Sequence, residues 1–344
     1  MGVCPALMAA AISLAVPAHA ALAQNAAPAQ NQIQSLAEAN AALQSGEADK
    51  ALALLASLPQ SGPDLALAHN LACRVRFTLE QWDAAANECE LAERLDDGNS
   101  DYHLWLGRAL GEKASRASFL TAYTLAKRTR AEFEEAVRLN PRNAEALSDL
   151  GDFYRQAPGV VGGGIDKAQQ IVTALDKVDA SRAQELRGRM AEQQKDFTAA
   201  ENDYRKMVAT GTHPALGWSA LAGFYARRQR FNEMESAVQN ILATAPHDRH
   251  ASVTLYDGAG LLTESNRDPA LAATLLEDYL ASSSKTEEAP AFIAHIRLAR
   301  LKQELGDPEA AGRERIAALA LAREYVPAQN FNPQAASNQR AAVH

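Results

Sequence analysis

The sequence predicts an all-α chain, built as a solenoid of antiparallel helix pairs, and three observations carry that expectation. Ala and Leu dominate a hydrophobic fraction of 47%, aromatics amount to only 6%, and strand-type runs of Val, Ile, Thr and Tyr are scarce. Small residues recur at a fixed interval, with Ala39, Cys73 and Gly107 each 34 positions apart. The same interval links Ala51 to Ala85, Leu55 to Cys89, Gly188 to Ala222 and Tyr204 to Val238, so two helices recur together and the unit is a hairpin. A chain of 344 residues built this way needs no single central core, because each hairpin buries its apolar face against its neighbours.

The first 20 residues carry no charged side chain, and Ala6 to Val16 is an apolar run too short to span a bilayer. Pro17 breaks the helix, and Ala18, His19 and Ala20, or Ala21, Leu22 and Ala23, supply the small residues a signal peptidase needs. Residues 1–23 therefore read as a signal peptide, and the mature chain as periplasmic or secreted with no integral membrane span. Residues 24–33, rich in Ala, Gln, Asn and Pro, read as a flexible linker, and residues 328–344 as a disordered tail of similar composition.

Residues 34–327 form the repeat array, about eight hairpins by this register. Trp218, Leu221, Ala222 and Tyr225 mark a first helix, with Pro246 closing its unit; Leu147, Leu150, Gly151 and Tyr154 repeat the pattern. Leu106 and Gly107 open another unit, closed by Phe133, Ala136 and Pro141. These stretches resemble the tetratricopeptide repeat family, whose first helix carries Trp, Leu-Gly and Tyr at these spacings, and whose second helix ends at Pro. The resemblance implies a right-handed superhelix. The steric logic is that two helices approach closely only where Gly or Ala lets the backbones touch and a large residue fills the next turn. The seventh hairpin, near Gly258 to Leu280, is the least regular.

Two units depart from the family length. Between Gly107 and Pro141 lie roughly ten extra residues, within Gly111 to Arg130, whose helical periodicity predicts a lengthened helix pair. After Tyr154, Gln156 to Ile165 is rich in Gly and Pro and predicts an exposed loop. The pairing of these insertions also resembles bacterial relatives of microtubule-dynamics regulators that use the same repeats.

Composition and motifs narrow the chemistry. A net charge of -8 without a separate block of Lys and Arg argues against nucleic-acid partners. Gly162, Gly163 and Gly164 invite a phosphate-binding reading, but Ile165, Asp166 and Lys167 stand where a P-loop needs Lys followed by Ser or Thr. His247 and His250 have a metal-ligand spacing without a third ligand, so no metal is expected there; nor does any recognised catalytic spacing or cofactor motif appear. In the family register Cys73 takes the small contact site of a first helix and Cys89 the large site of its partner helix. That placement implies a disulfide, the alternative being two buried free thiols.

In this family the first helices line a concave groove. Arginine follows the small contact site at Arg74, Arg108, Arg189 and Arg300, Arg227 lies about one turn further on in its unit, and Asn70 precedes Arg74 by one turn. Such a stripe has two readings: it captures acidic groups of a peptide or partner protein, or it pairs with Glu and Asp of adjacent helices. Asp152 interrupts it in the fourth hairpin. The function expected is a non-catalytic scaffold or adaptor. The alternatives are an enzyme or enzyme subunit with a small-molecule site near the loop 157–164, and a membrane-associated assembly factor held by its partners.

Overall fold

The computed structural model describes residues 19–59, 61–248 and 250–334; residues 1–18 of the expected leader 1–23 and residues 335–344 of the expected tail 328–344 lie outside the described residues, while residues 19–23 fall within the first helix. Eight helix hairpins follow one another. They are α1 (His19–Gln44) with α2 (Ala48–Ala56), α3 (Leu65–Thr78) with α4 (Trp82–Leu95), α5 (Ser100–Arg116) with α6 (Phe119–Leu139), and α7 (Ala144–Gln156) with α8 (Ile165–Leu175). Then come α9 (Ala180–Gln193) with α10 (Phe197–Thr210), α11 (Pro214–Arg227) with α12 (Phe231–Thr244), α13 (Val253–Glu264) with α14 (Pro269–Ala281), and α15 (Ala291–Glu304) with α16 (Pro308–Leu321). A short α17 (Val326–Asn330) ends the array, and there is no strand among the described residues.

The 34-residue register is a packing register. At the small site of α5, a Cβ on Gly107 would fall 2.5 Å from the Phe133 ring of α6; on Gly188 of α9 it would fall 2.7 Å from the Tyr204 ring of α10. In the second hairpin the same two sites are Cys73 and Cys89, joined as a disulfide with their Cα atoms 5.2 Å apart across 16 positions. Gly188 and Tyr204 keep that interval, whereas Gly107 and Phe133 exceed it by about ten residues, the length of the insertion. The extra residues lengthen both helices, to 17 residues in α5 and 21 in α6, against 14 in most others.

A shared turn joins the two helices of six hairpins. Gly46, Glu80, Lys195, Gln229, Asn266 and Gly306 all adopt positive φ, and the following N–H bonds back to the carbonyl five residues earlier, as in Gln81 to Arg76 and Arg230 to Tyr225. Second helices then start on side-chain caps at Asp196, Asp268 and Asp307.

Two expected boundaries are corrected. Residues 24–33 are part of α1, since Ala and Gln are good helix formers whatever their polarity. The tail begins later than residue 328: Ala328 is fully buried, its carbonyl accepts from Arg315 Nε at 3.0 Å, and Gln303 Nε2 donates to the Asn332 carbonyl at 2.8 Å.

The array returns on itself. Phe292, Ile296, Ala318, Ala322, Tyr325 and Ala328 of the last hairpin share one apolar cluster with Leu36, Leu43, Leu55, Leu71 and Leu79 of the first two. At this seam Gly46 sits so close to α15 that a Cβ there would lie 2.4 Å from the Ala291 nitrogen. Polar contacts line the same seam: Arg323 meets Asp49 at 3.3 Å, and Gln44 Nε2 donates to Glu287 Oε1 at 3.0 Å.

The glycine-rich insertion has a structural cause. After a 3-10 turn at Gly159–Val161, the loop leans on the lengthened α6, where Arg130 Nη1 donates to the Val161 carbonyl at 3.3 Å. A Cβ on Gly162, which also has φ of 94°, would collide with that guanidinium, and one on Gly163 with the Ala157 carbonyl oxygen. Thus the two departures from the repeat length pack against each other.

Candidate binding surface on the inner face

First helices of successive hairpins pack side by side, α1 on α3, α3 on α5, α5 on α7, α7 on α9 and α11 on α13, which makes them the inner layer of the curve. Four of the predicted groove arginines are closed onto carboxylates of this chain, the second of the two readings above. Arg74 grips Glu287 with two nitrogens, Nε at 2.9 Å from Oε2. Arg108 reaches Asp149 at 2.6 Å and Glu145 at 2.9 Å on the next inner helix. Arg189 reaches back to Asp152 and along its own helix to Glu185, and Arg227 grips Glu192 through Nε at 2.9 Å and Nη2 at 2.7 Å. Asp152, which interrupts the stripe in sequence, thus serves as a rung of it. The Arg74 and Arg108 guanidinium groups also face the Trp105 ring, at 5.3 and 4.6 Å from its centroid.

The remaining predicted residues lie elsewhere. Asn70 is buried within the α3 packing, and Arg300 is exposed on α15, where its charge is felt by Tyr325. His247 is exposed in a 3-10 turn; His213 instead bonds Asp248 and lies 5.2 Å from the His250 ring. No group of three or more metal-ligating side chains assembles among the described residues.

An open cavity of about 1250 Å³ lies on the inner face. Its walls come chiefly from α9, α11 and α13, with Arg297 reaching in from α15; they include Arg189 and Arg227 in their ion pairs, Tyr204, Leu216, Tyr256 and Leu261. Asp257 and Arg297 also face it, and sequence reasoning did not single them out. At this place the ladder of ion pairs is interrupted. Arg297 lies over the Tyr256 ring at 4.0 Å from the centroid, and Asp257 accepts from Ser219 Oγ at 3.3 Å. The Asp257 carboxyl is open to cavity water yet enclosed by the walls. That enclosure pushes its pKa up to about 6, with the Glu185 and Glu288 charges adding to the effect and the Ser219 hydrogen bond and Arg297 charge opposing it. Arg297 lies one turn before Arg300 on α15. Asp257 falls in the irregular seventh hairpin, where the register gave no anchor. The loop 157–164 lines neither this cavity nor the smaller one around Phe197 and Arg228.

The paired inner and outer helices, the close contacts at the repeat's small sites and the shared turns define a helical solenoid of antiparallel hairpins, the fold that the tetratricopeptide resemblance implied. No family model matches the chain. A segment of 121 residues, 35% of the chain, is 32% identical to the Superkiller complex protein 3 of Mus musculus, of which it spans only 7%. Among solved structures the chain is similar to a thermophilic TPR protein of Thermus thermophilus, at 20% identity and a TM-score of 0.42, over 58% of this chain and 99% of that one. It is also similar to a tetratricopeptide repeat protein of Parabacteroides merdae, at 14% identity and a TM-score of 0.36, over 77% of this chain and 99% of that one.

Proposed function

We propose that the chain is a non-catalytic scaffold that receives an extended segment of a partner protein on its inner face, between α9 and α15. The observation that carries this reading is the interrupted rung. Where Arg74, Arg108, Arg189 and Arg227 are consumed by internal carboxylates, Asp257 and Arg297 present an acceptor and a donor to one cavity, larger than the roughly 300–1,000 Å³ of small-molecule pockets. An extended backbone offers the complementary N–H and C=O groups at every residue. Because the arginine stripe is already neutralised, recognition of this kind does not require an acidic partner. The Cys73–Cys89 bond supports action in an oxidising compartment, the periplasm or outside the cell, as does the leader-like start of the sequence.

A catalytic reading has one observation in its favour, the Asp257 carboxyl at about 6. Its hydrogen-bond partner is a serine hydroxyl at 3.3 Å rather than a base or an activated nucleophile, and the glycine-rich loop takes no part. Selection of a displayed random-peptide library on the purified chain tests the scaffold reading. Enriched peptides should lose about tenfold or more in affinity with Asp257→Arg or Arg297→Glu. Peptides that ignore both substitutions, or no enrichment at all, would contradict it.

A further inference from the structure

The two most exposed large apolar side chains among the described residues, Phe119 at 84% and Leu120 at 78%, are neighbours at the turn between α5 and α6. They crown the hairpin that the insertion lengthens, and Tyr123 stands half-exposed one turn below. Basic side chains lie along this hairpin, from the turn to about three turns down α6. Residues 111–130 hold Lys113, Arg116, Lys127, Arg128 and Arg130 against a single acid, Glu112, in a chain whose net charge is -8. Four of the five are paired with carboxylates of this chain: Lys113 with Asp83 at 2.8 Å, Arg116 with Glu112 at 2.5 Å, Arg128 with Glu90 at 2.6 Å and Arg130 with Glu134 at 3.5 Å, which leaves Lys127 as the cation outside these pairs. Arg116 stacks on Trp82 at 4.5 Å, and Lys127 stands over the Tyr123 ring at 5.6 Å.

The size of the apolar apex decides which partner it fits. Two side chains on a protruding turn fall far short of the roughly 800 Å² per partner that a stable protein interface buries. They suffice, however, to enter the boundary between lipid headgroups and acyl chains, where each buried methylene adds to binding and nearby Lys and Arg meet anionic phosphates. An aromatic ring backed by lysine is also the composition found at membrane interfaces.

We propose that the α5–α6 tip docks on an anionic lipid surface, with Phe119 and Leu120 inserted and Arg116 and Lys127 at headgroup level. This proposal is independent of the inner-face reading, since the tip contributes nothing to the cavity. Flotation of the full chain with vesicles of equal parts phosphatidylglycerol and phosphatidylcholine tests it. Wild type should float with them, weaken with added salt, and bind pure phosphatidylcholine poorly. Phe119→Ser/Leu120→Ser should bind about tenfold or more weakly, and Lys127→Glu should weaken binding to the charged vesicles, with helix content unchanged in both. Failure of the wild type to float, equal binding by the double variant, or equal binding to neutral vesicles would overturn the proposal. So would loss of a protein partner by the double variant without any vesicle binding.

Discussion

Arg74 of α3 and Glu287 of the α14–α15 loop lie 213 positions apart and form a two-point ion pair, largely buried at the seam where the ends of the array meet. Gln44 completes the arrangement from α1, donating to the same carboxylate and accepting from the Glu287 backbone N–H at 3.3 Å. The pair adds direction to a contact whose main stabilisation is apolar burial of Phe292, Tyr325 and their neighbours against the first hairpins. Removing one partner leaves the other charge poorly solvated, so Glu287→Gln should cost about 3 kcal/mol in urea unfolding. The Arg74→Met/Glu287→Leu double variant should recover most of it, because the cost is that of an unpaired charge. Equal losses in single and double variants would contradict this account.

The disulfide lies in the register of the close contact, within a cluster that includes Trp105, Leu106 and Leu110. Cys73→Ala/Cys89→Ala removes a link closing a short loop and should lower stability by about 3 kcal/mol, read as a fall in melting temperature. Reducing agent should produce a similar fall in the wild type and none in the variant.

Gly188 and Tyr204 form a small-large pair whose counterpart in the next hairpin is Ala222 with Val238. Gly188→Ala alone drives a methyl into the Tyr204 ring and should cost about 1–3 kcal/mol. Gly188→Ala with Tyr204→Val reproduces the neighbouring pair and should recover part of that loss, although the Tyr204 hydrogen bond to Glu192 at 2.7 Å is forfeited. Thermal melts of the three variants read the difference.

His103 is buried on α5, where it bonds Glu132 at 2.8 Å and the Asp97 carbonyl at 3.0 Å. The bond to Glu132, helped by the Asp97 carbonyl and opposed by burial, holds its pKa above the usual 6.5. The folded state therefore binds the proton more tightly than the unfolded chain. His103 contributes fully below about pH 6.5, and the contribution fades as pH rises through its folded value. The melting-temperature difference between wild type and His103→Gln should be larger near pH 6 than near pH 9.

Much of the fold was legible because the repeat acts through sterics that leave a trace in single residues. Gly107, Gly151 and Gly188 each stand where a Cβ would overlap a large side chain across the packing interface, and the ten-residue excess between Gly107 and Phe133 announced the long α5–α6 pair. Less visible were features fixed by residues with ordinary propensities. The hairpin turn uses Glu80, Lys195, Gln229 and Asn266 at positive φ in four of its six occurrences, so glycine marked it only at Gly46 and Gly306. Exposed Lys195 is therefore strained, and Lys195→Gly should raise stability by about 0.5–1 kcal/mol, the reverse of the usual cost of a glycine. The return of the array on itself depends on accumulated curvature over eight hairpins, which no local pattern encodes. The arginine stripe was readable, but most of its carboxylate partners lie on other segments of the chain, up to 213 positions away, and only the folded chain pairs them.

Meeting of the two ends is the claim on which the enclosed inner face rests, and a short crosslink tests it directly. In a Cys4→Ser background, Asp49→Cys and Arg323→Cys replace two residues whose side chains meet at 3.3 Å. A short bismaleimide should join them within one molecule at high yield and dilute concentration, moving the monomer band without forming dimers. Crosslinks only between molecules, or none, would mean that the array is open and that its ends stay apart.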